Sequence, residues 1–169
     1  MNYFELFELP EQIIIEPSFL QKRYYELSKK FHPDFFTQSN EIEQNDALEK
    51  SSMINKAFQT FKSIDKTIEY VLQINNLLQE DEKQTLSAEF LMEMMEVNES
   101  LSDATLENNQ DKIHTIKLEI NTLQKNLWNN INTIAQEFNS NTKTFKNLEV
   151  LKDYYFKKKY LNRILEGLE

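Results

Sequence analysis

An imidazole and a carboxylate stand two residues apart at His32-Pro33-Asp34, with a ring-locked residue between them. A histidine close to an acid is raw material for general acid–base catalysis or for a metal site, and both need further groups at defined spacing. The only other histidine is His114, there is no Cys, and no Ser/His/Asp or metal-ligand spacing occurs. No acid–base or metal site is therefore read here; the expected cofactor content is none. Recognition chemistry is what fits. Pro33 stiffens the turn and biases His32 away from helical geometry, and Asp34 offers an accessible acid suited to a cationic group on another protein.

Two further sets of residues could recognise a partner. Lys22, Arg23, Lys29 and Lys30 lie off the apolar stripe of the helix that leads into His32, and the sevenfold spacings 22/29 and 23/30 stack charge along one side. They read either as a solvated face or as a local positive patch that steers toward an acidic partner. Further along, Leu86, Phe90, Met94, Val97 and Leu101 make one helical stripe, a core face. Met92, Met95, Glu96, Glu99 and Asp103 make a second arc nearly opposite, with Leu91 at the edge between the two. Such methionines are either singly exposed or part of an adaptable contact surface with acids supplying register.

The elements that hold these groups are all helical. The single Gly comes at position 167, all three Pro precede residue 34, and β-branched alternation is scarce. A short helical turn over 3–9 ends at Pro10. The next helix runs to Phe31 and buries Leu20, Tyr24, Leu27 and Phe31. Residues 35–41 read as loop. A third helix spans about 42–62, with Ala47, Ile54, Phe58 and Phe61 inward, and a fourth spans about 64–76, using Ile64, Ile68, Val71, Leu72 and Asn75. The polar stretch 77–85 is the expected linker between a unit at 1–76 and one at 86–169. Helices at about 86–108, 111–138 and 143–168, joined by short Asn-rich connections, predict an antiparallel three-helix bundle. Trp128, Leu127 and Ile131 read as core of its middle helix, and Lys157-Lys158-Lys159 as a solvated face.

The chain of 169 residues carries a formal charge of −9, which disfavours general nucleic-acid binding. No apolar run approaches a membrane span, and the N-terminus has neither signal nor transit character. A cytoplasmic protein without nucleic-acid or membrane partners is expected.

Residues 1–75 resemble the J-domain of the HscB family, the co-chaperones of iron–sulfur cluster assembly. The resemblance rests on His32-Pro33-Asp34 between two amphipathic helices, on the opening Asn2-Tyr3-Phe4-Glu5-Leu6-Phe7 with Leu9-Pro10, on Ile54-Asn55-Lys56-Ala57-Phe58-Gln59-Thr60-Phe61, and on Glu69-Tyr70-Val71-Leu72. It implies an all-α fold, an antiparallel helical hairpin with short helices followed by the three-helix domain. It also implies that His32, Pro33 and Asp34 stimulate the ATPase of a DnaK/HscA-class chaperone, docked by Lys22, Arg23, Lys29 and Lys30. Phe90-Leu91-Met92-Glu93 with Glu96 and Glu99 is similar to the family segment that binds the IscU-type cluster scaffold protein. This implicates Leu91, Met92, Met95, Glu96, Glu99 and Asp103, with an aromatic from the last helix, Tyr160 or alternatively Tyr155. One departure stands out: Thr67-Ile68 replaces the family's Arg-Ala pair. The implied protein is an adaptor, not an enzyme. The competing readings are a general J-domain folding co-chaperone with another client, and a helical enzyme using His32, which no second catalytic group supports.

Overall fold

Every helix start carries a side chain able to accept a hydrogen bond from the first turn, so the element boundaries follow from local chemistry. A computed structural model describes residues 1–79 and 86–168. Among these, seven α-helices form: α1 (Tyr3–Phe7), α2 (Pro17–Lys30), α3 (Glu41–Phe61), α4 (Ile64–Ile74), α5 (Ala88–Leu106), α6 (Gln110–Glu137) and α7 (Phe145–Glu166). Asn2 and Glu5 close a reciprocal capping box on α1. Glu16 caps α2 with Pro17 in its first turn, and Asn40, Ser63, Ser87, Asn109 and Thr144 cap α3 to α7. With almost no glycine, left-handed backbone falls to Glu8, the residue after α1, and to Asn76 and Asn108, each two residues past the end of α4 and α5; asparagine tolerates that region best of the non-glycine residues.

Helices α2 and α3 form the expected antiparallel hairpin. Tyr24, at the middle of α2, stacks on Phe58 at 4.1 Å and donates to Asn55 Oδ1 at 2.9 Å. Phe31, at its C-terminal end, lies under the Lys50 ammonium from the middle of α3. Helix α1 crosses the base of the hairpin: Tyr3 stacks on Tyr70 at 4.3 Å, and Phe4 and Phe7 meet Phe61. The Thr67 of the unusual Thr67-Ile68 pair is fully buried. Its hydroxyl lies 2.9 Å from the Ser63 carbonyl and 3.2 Å from that of Thr60, while Ile68 is core. The pair therefore seals the α3–α4 corner from inside.

The C-terminal helices run up, down and up. Gln124 of α6 reaches Asn162 of α7, and Trp128 reaches Tyr154, a pairing in which one number falls as the other rises. Phe90, Met94, Ala104, Ile116, Ile120 and Leu161 build the distal core of this bundle.

The two units are not merely tethered. One hydrophobic cluster runs from Phe7, Leu27 and Leu72 through to Ile131, Leu151 and Phe156. Its polar edge is bonded as well. Tyr154 donates to Asp65 Oδ1 and Tyr155 to Glu69 Oε1, both at 2.8 Å. Glu11 accepts from Asn75 at 2.7 Å and from Lys143 at 2.9 Å. Burial, with the Asp65 charge beside it, holds the Tyr154 phenol well above the ordinary tyrosine range; burial and the bond to Glu69 do the same for Tyr155.

A phenol whose proton is held more tightly in the folded state contributes fully below its unfolded pKa, near 10, and loses that contribution as pH rises beyond it. The Tyr154→Phe and Tyr155→Phe variants should each lower stability at neutral pH by about 1–2 kcal/mol, read as a lower urea midpoint. They should also lose less stability above pH 10 than the wild type.

Four sequence expectations change. The stretch 35–41 is not loop throughout, because Pro33–Phe36 closes a 3-10 turn. Ile64 is exposed at the start of α4, since the inward arc begins with Thr67. In the expected linker, Leu78 is buried and Leu77 packs beside it, while 80–85 lie outside the described residues. Lys157 and Lys159 are more than a solvated face: their ammonium groups sit over the rings of Phe90 and Tyr155.

Candidate functional site

The tip between α2 and α3 is shaped by its own three residues. His32 has extended backbone and caps the turn, its Nδ1 accepting from the Asp34 N–H at 3.3 Å. The Phe35 N–H returns to the His32 carbonyl at 3.0 Å. Asp34 is left with its side chain 84% exposed and the His32 ring, 3.6 Å away, as its only ionic contact among the described residues. A carboxylate held this way has no structural task inside the protein and is free for a partner's cation.

The basic face divides. Lys22 and Lys29 point to solvent, and Lys30 is exposed with its ammonium over the Phe31 ring. Arg23 does not join them. Its side chain is 19% exposed, its Nε donates to the Phe7 carbonyl at 3.1 Å, and its guanidinium pairs with Glu8 at 2.6 Å and Glu26 at 3.2 Å. The expected docking role of Arg23 gives way to a structural one: the planar fork ties the end of α1 to α2, which a flexible ammonium cannot reproduce. Arg23→Ala should therefore cost about 1–2 kcal/mol of stability. Lys22→Ala and Lys29→Ala should stay within about 0.5 kcal/mol of wild type. Thermal melts of the three variants make the comparison.

On α5 the second arc is outward in full. Leu91, Met92, Met95, Glu96, Glu99 and Asp103 are all exposed, Met92 at 67% and Met95 at 69%. Helix α5 carries Glu89, Glu93, Glu96, Glu99 and Asp103 and no Lys or Arg, and none of these acids forms an ion pair among the described residues. The two candidate aromatics of α7 separate cleanly. Tyr155 is buried against α4, on the shared core. Tyr160 lies across the Phe90 ring edge at 5.9 Å, and its hydroxyl accepts from Asn98 at 3.1 Å. Tyr160 is thus the last-helix aromatic that flanks the α5 face.

Residues 86–169 match the family model described as the HSCB C-terminal oligomerisation domain. The co-chaperone protein HscB homolog of Vibrio cholerae serotype O1 (strain M66-2) is 41% identical over 106 residues, 62% of each chain. That of Vibrio vulnificus (strain YJ016) is 41% identical over 104 residues, 61% of each. These matches span less than two thirds of the curated relatives' length. The solved structure of chaperone HscB from Vibrio cholerae covers all of this chain and all of its own, with a TM-score of 0.69 at 26% identity. The chain belongs to the HscB family. The crystal structure of human co-chaperone protein HscB covers 99% of this chain and 80% of its own, with a TM-score of 0.77 at 25% identity. The all-α architecture of an HscB co-chaperone, J-domain hairpin first and helical bundle second, is the one found here.

Several exposed apolar residues escaped the sequence reading, and three of them lie beside the surfaces just described. Phe35 stands in the turn beside His32, with the two rings 6.0 Å apart. Leu106 falls on the same helical arc as Met92, so the periodicity that found the methionines extends to it. Leu118 of α6 is also exposed, and no pattern along the chain marks it, because its neighbours come from another helix. Among the described residues there is no group of three potential metal ligands, and no helix is long and apolar enough to cross a membrane.

Proposed function

We propose that this HscB-family protein is an adaptor for iron–sulfur cluster assembly in the cytoplasm. Its J-domain, residues 1–76, stimulates the ATPase of a DnaK/HscA-class chaperone through His32, Pro33 and Asp34, with Lys22, Lys29 and Lys30 steering the approach. Its C-terminal domain, 86–169, holds an IscU-type scaffold protein on Leu91, Met92, Met95, Glu96, Glu99 and Asp103, flanked by Tyr160. The carrying observation is the pairing of two unpartnered surfaces, the Asp34 tip and the Met/Leu/acid face of α5, on units that share one core.

Holding both partners on one body converts the client's encounter with the chaperone into a local event. Contacts at the J-domain accelerate hydrolysis only to the extent that they bind the chaperone's hydrolysis-competent state better than its resting state. The protein itself catalyses no step in this scheme; the chaperone hydrolyses ATP. Chaperone ATP turnover measured with this protein, with and without the scaffold, tests the scheme. Synergistic stimulation is expected. Stimulation indifferent to the scaffold would leave a general J-domain co-chaperone with another client, and no stimulation of any DnaK-class chaperone would overturn the reading.

A further inference from the structure

Beside the α5 face, on the flank away from Tyr160, a groove of about 570 Å³ runs between α5 and α6. Its rim carries Glu93 and Glu96 from α5 and Glu119 from α6, and its apolar lining is Val97, Leu118 and Leu123. No Lys or Arg lines it. None of the three carboxylates forms an ion pair or a side-chain hydrogen bond among the described residues. Leu118 is 53% exposed in the N-terminal third of α6, on a helix otherwise polar on that side. Glu96 belongs both to this rim and to the proposed scaffold-binding arc, so the groove continues that surface onto a second helix.

We propose that the client surface extends across this groove, and that the groove takes a segment of the scaffold protein bearing a Lys or Arg next to an apolar side chain. The inference rests on the scaffold-binding reading above. Charge decides the occupant. Three uncompensated carboxylates around an apolar floor repel an acidic segment, and favour a cation whose stem or neighbour covers Leu118. A second copy of this chain seated symmetrically would bring α5 and its acids against the same acids, which is unfavourable. Within the proposed interface, Met92 and Met95 supply adaptable apolar area, and the groove supplies direction, because a cation there sets which way the client lies across α5.

The test is binding of the full-length protein to the purified iron–sulfur scaffold protein by calorimetry at two salt concentrations. Leu118→Lys places a cation in the groove on an exposed helical position that accepts lysine readily. It should weaken binding about tenfold. Glu93→Gln with Glu119→Gln should weaken it at low salt and flatten the salt dependence. Melting temperatures report that both variants fold. Wild-type binding that Met92→Ala with Met95→Ala weakens, but that neither groove variant changes, would overturn the groove while leaving the scaffold-binding reading intact. No wild-type binding at all would overturn that reading and the groove with it. Sedimentation in which Leu118→Lys abolishes a self-association of this chain would assign the groove to a second copy and overturn the proposal.

Discussion

An Asp34→Asn variant should fold as well as the wild type, bind the scaffold protein equally, and fail to stimulate the chaperone. The substitution is nearly isosteric and removes one charge. The Asp34 side chain is 84% exposed, and its only ionic neighbour among the described residues is His32. The turn is held by backbone groups and by the imidazole: the Asp34 N–H reaches His32 Nδ1, and the Phe35 N–H reaches the His32 carbonyl. None of these bonds uses the carboxylate, so stability should change by no more than about 0.5 kcal/mol. The loss falls on docking. Removing one partner of a charge pair that becomes desolvated in a complex costs about 2–5 kcal/mol, or a ~30-fold or greater loss. Single-turnover ATP hydrolysis by the chaperone measures it, with scaffold binding as the control. An Asp34→Asn protein that stimulates as well as wild type would remove the tip from the mechanism.

The converse result is expected on α5. Met92→Ala with Met95→Ala should weaken scaffold binding while leaving stimulation by the J-domain alone unchanged. Both side chains are two-thirds exposed in the free protein, at 67% and 69%, so truncation opens no cavity. Alanine also favours helix. The folded state loses almost nothing; the complex loses two thioethers that conform to the partner's contours. Their burial against the scaffold is worth about 2–3 kcal/mol together, a 30- to 150-fold weaker Kd. The buried Met94 between them makes the necessary contrast, since it is fully enclosed by the bundle. Met94→Ala should lower the melting temperature, because a buried Met→Ala change costs about 2–5 kcal/mol. Retained affinity in the Met92/Met95 variant would show that the exposed arc is ordinary surface.

The contacts that join the two units fall on residues that belong to neither proposed surface. Tyr154 and Tyr155 reach from α7 to Asp65 and Glu69 on α4, and Lys143 reaches Glu11 in the segment between α1 and α2. The helices α6 and α7, on which α5 packs through the distal core, thus share a second core with α1 to α4.

Much of this was present in the chain as a string. The scarcity of glycine, the caps Asn40, Ser63, Ser87, Asn109 and Thr144, and the 3.6-residue spacing of apolar side chains determine where the helices begin, which face turns inward, and that Met92 and Met95 turn outward. Those are local properties, set within a few residues of each position. The tip at His32-Pro33-Asp34 was legible for the same reason: its geometry is made by three consecutive residues. What a string does not contain is which distant groups meet. Arg23 has the same periodic place as an exposed lysine, and only the approach of Phe7 and Glu8 turns it from a docking charge into a clamp. Tyr155 and Tyr160 are both aromatics near one run of lysines, and only the packing of α7 against α4 on one side and α5 on the other separates core from surface. The groove at Leu118 exists only where two helices lie side by side. Helix position follows from local hydrogen bonding and periodicity, whereas the role of each long polar or aromatic side chain follows from what tertiary packing brings within its reach.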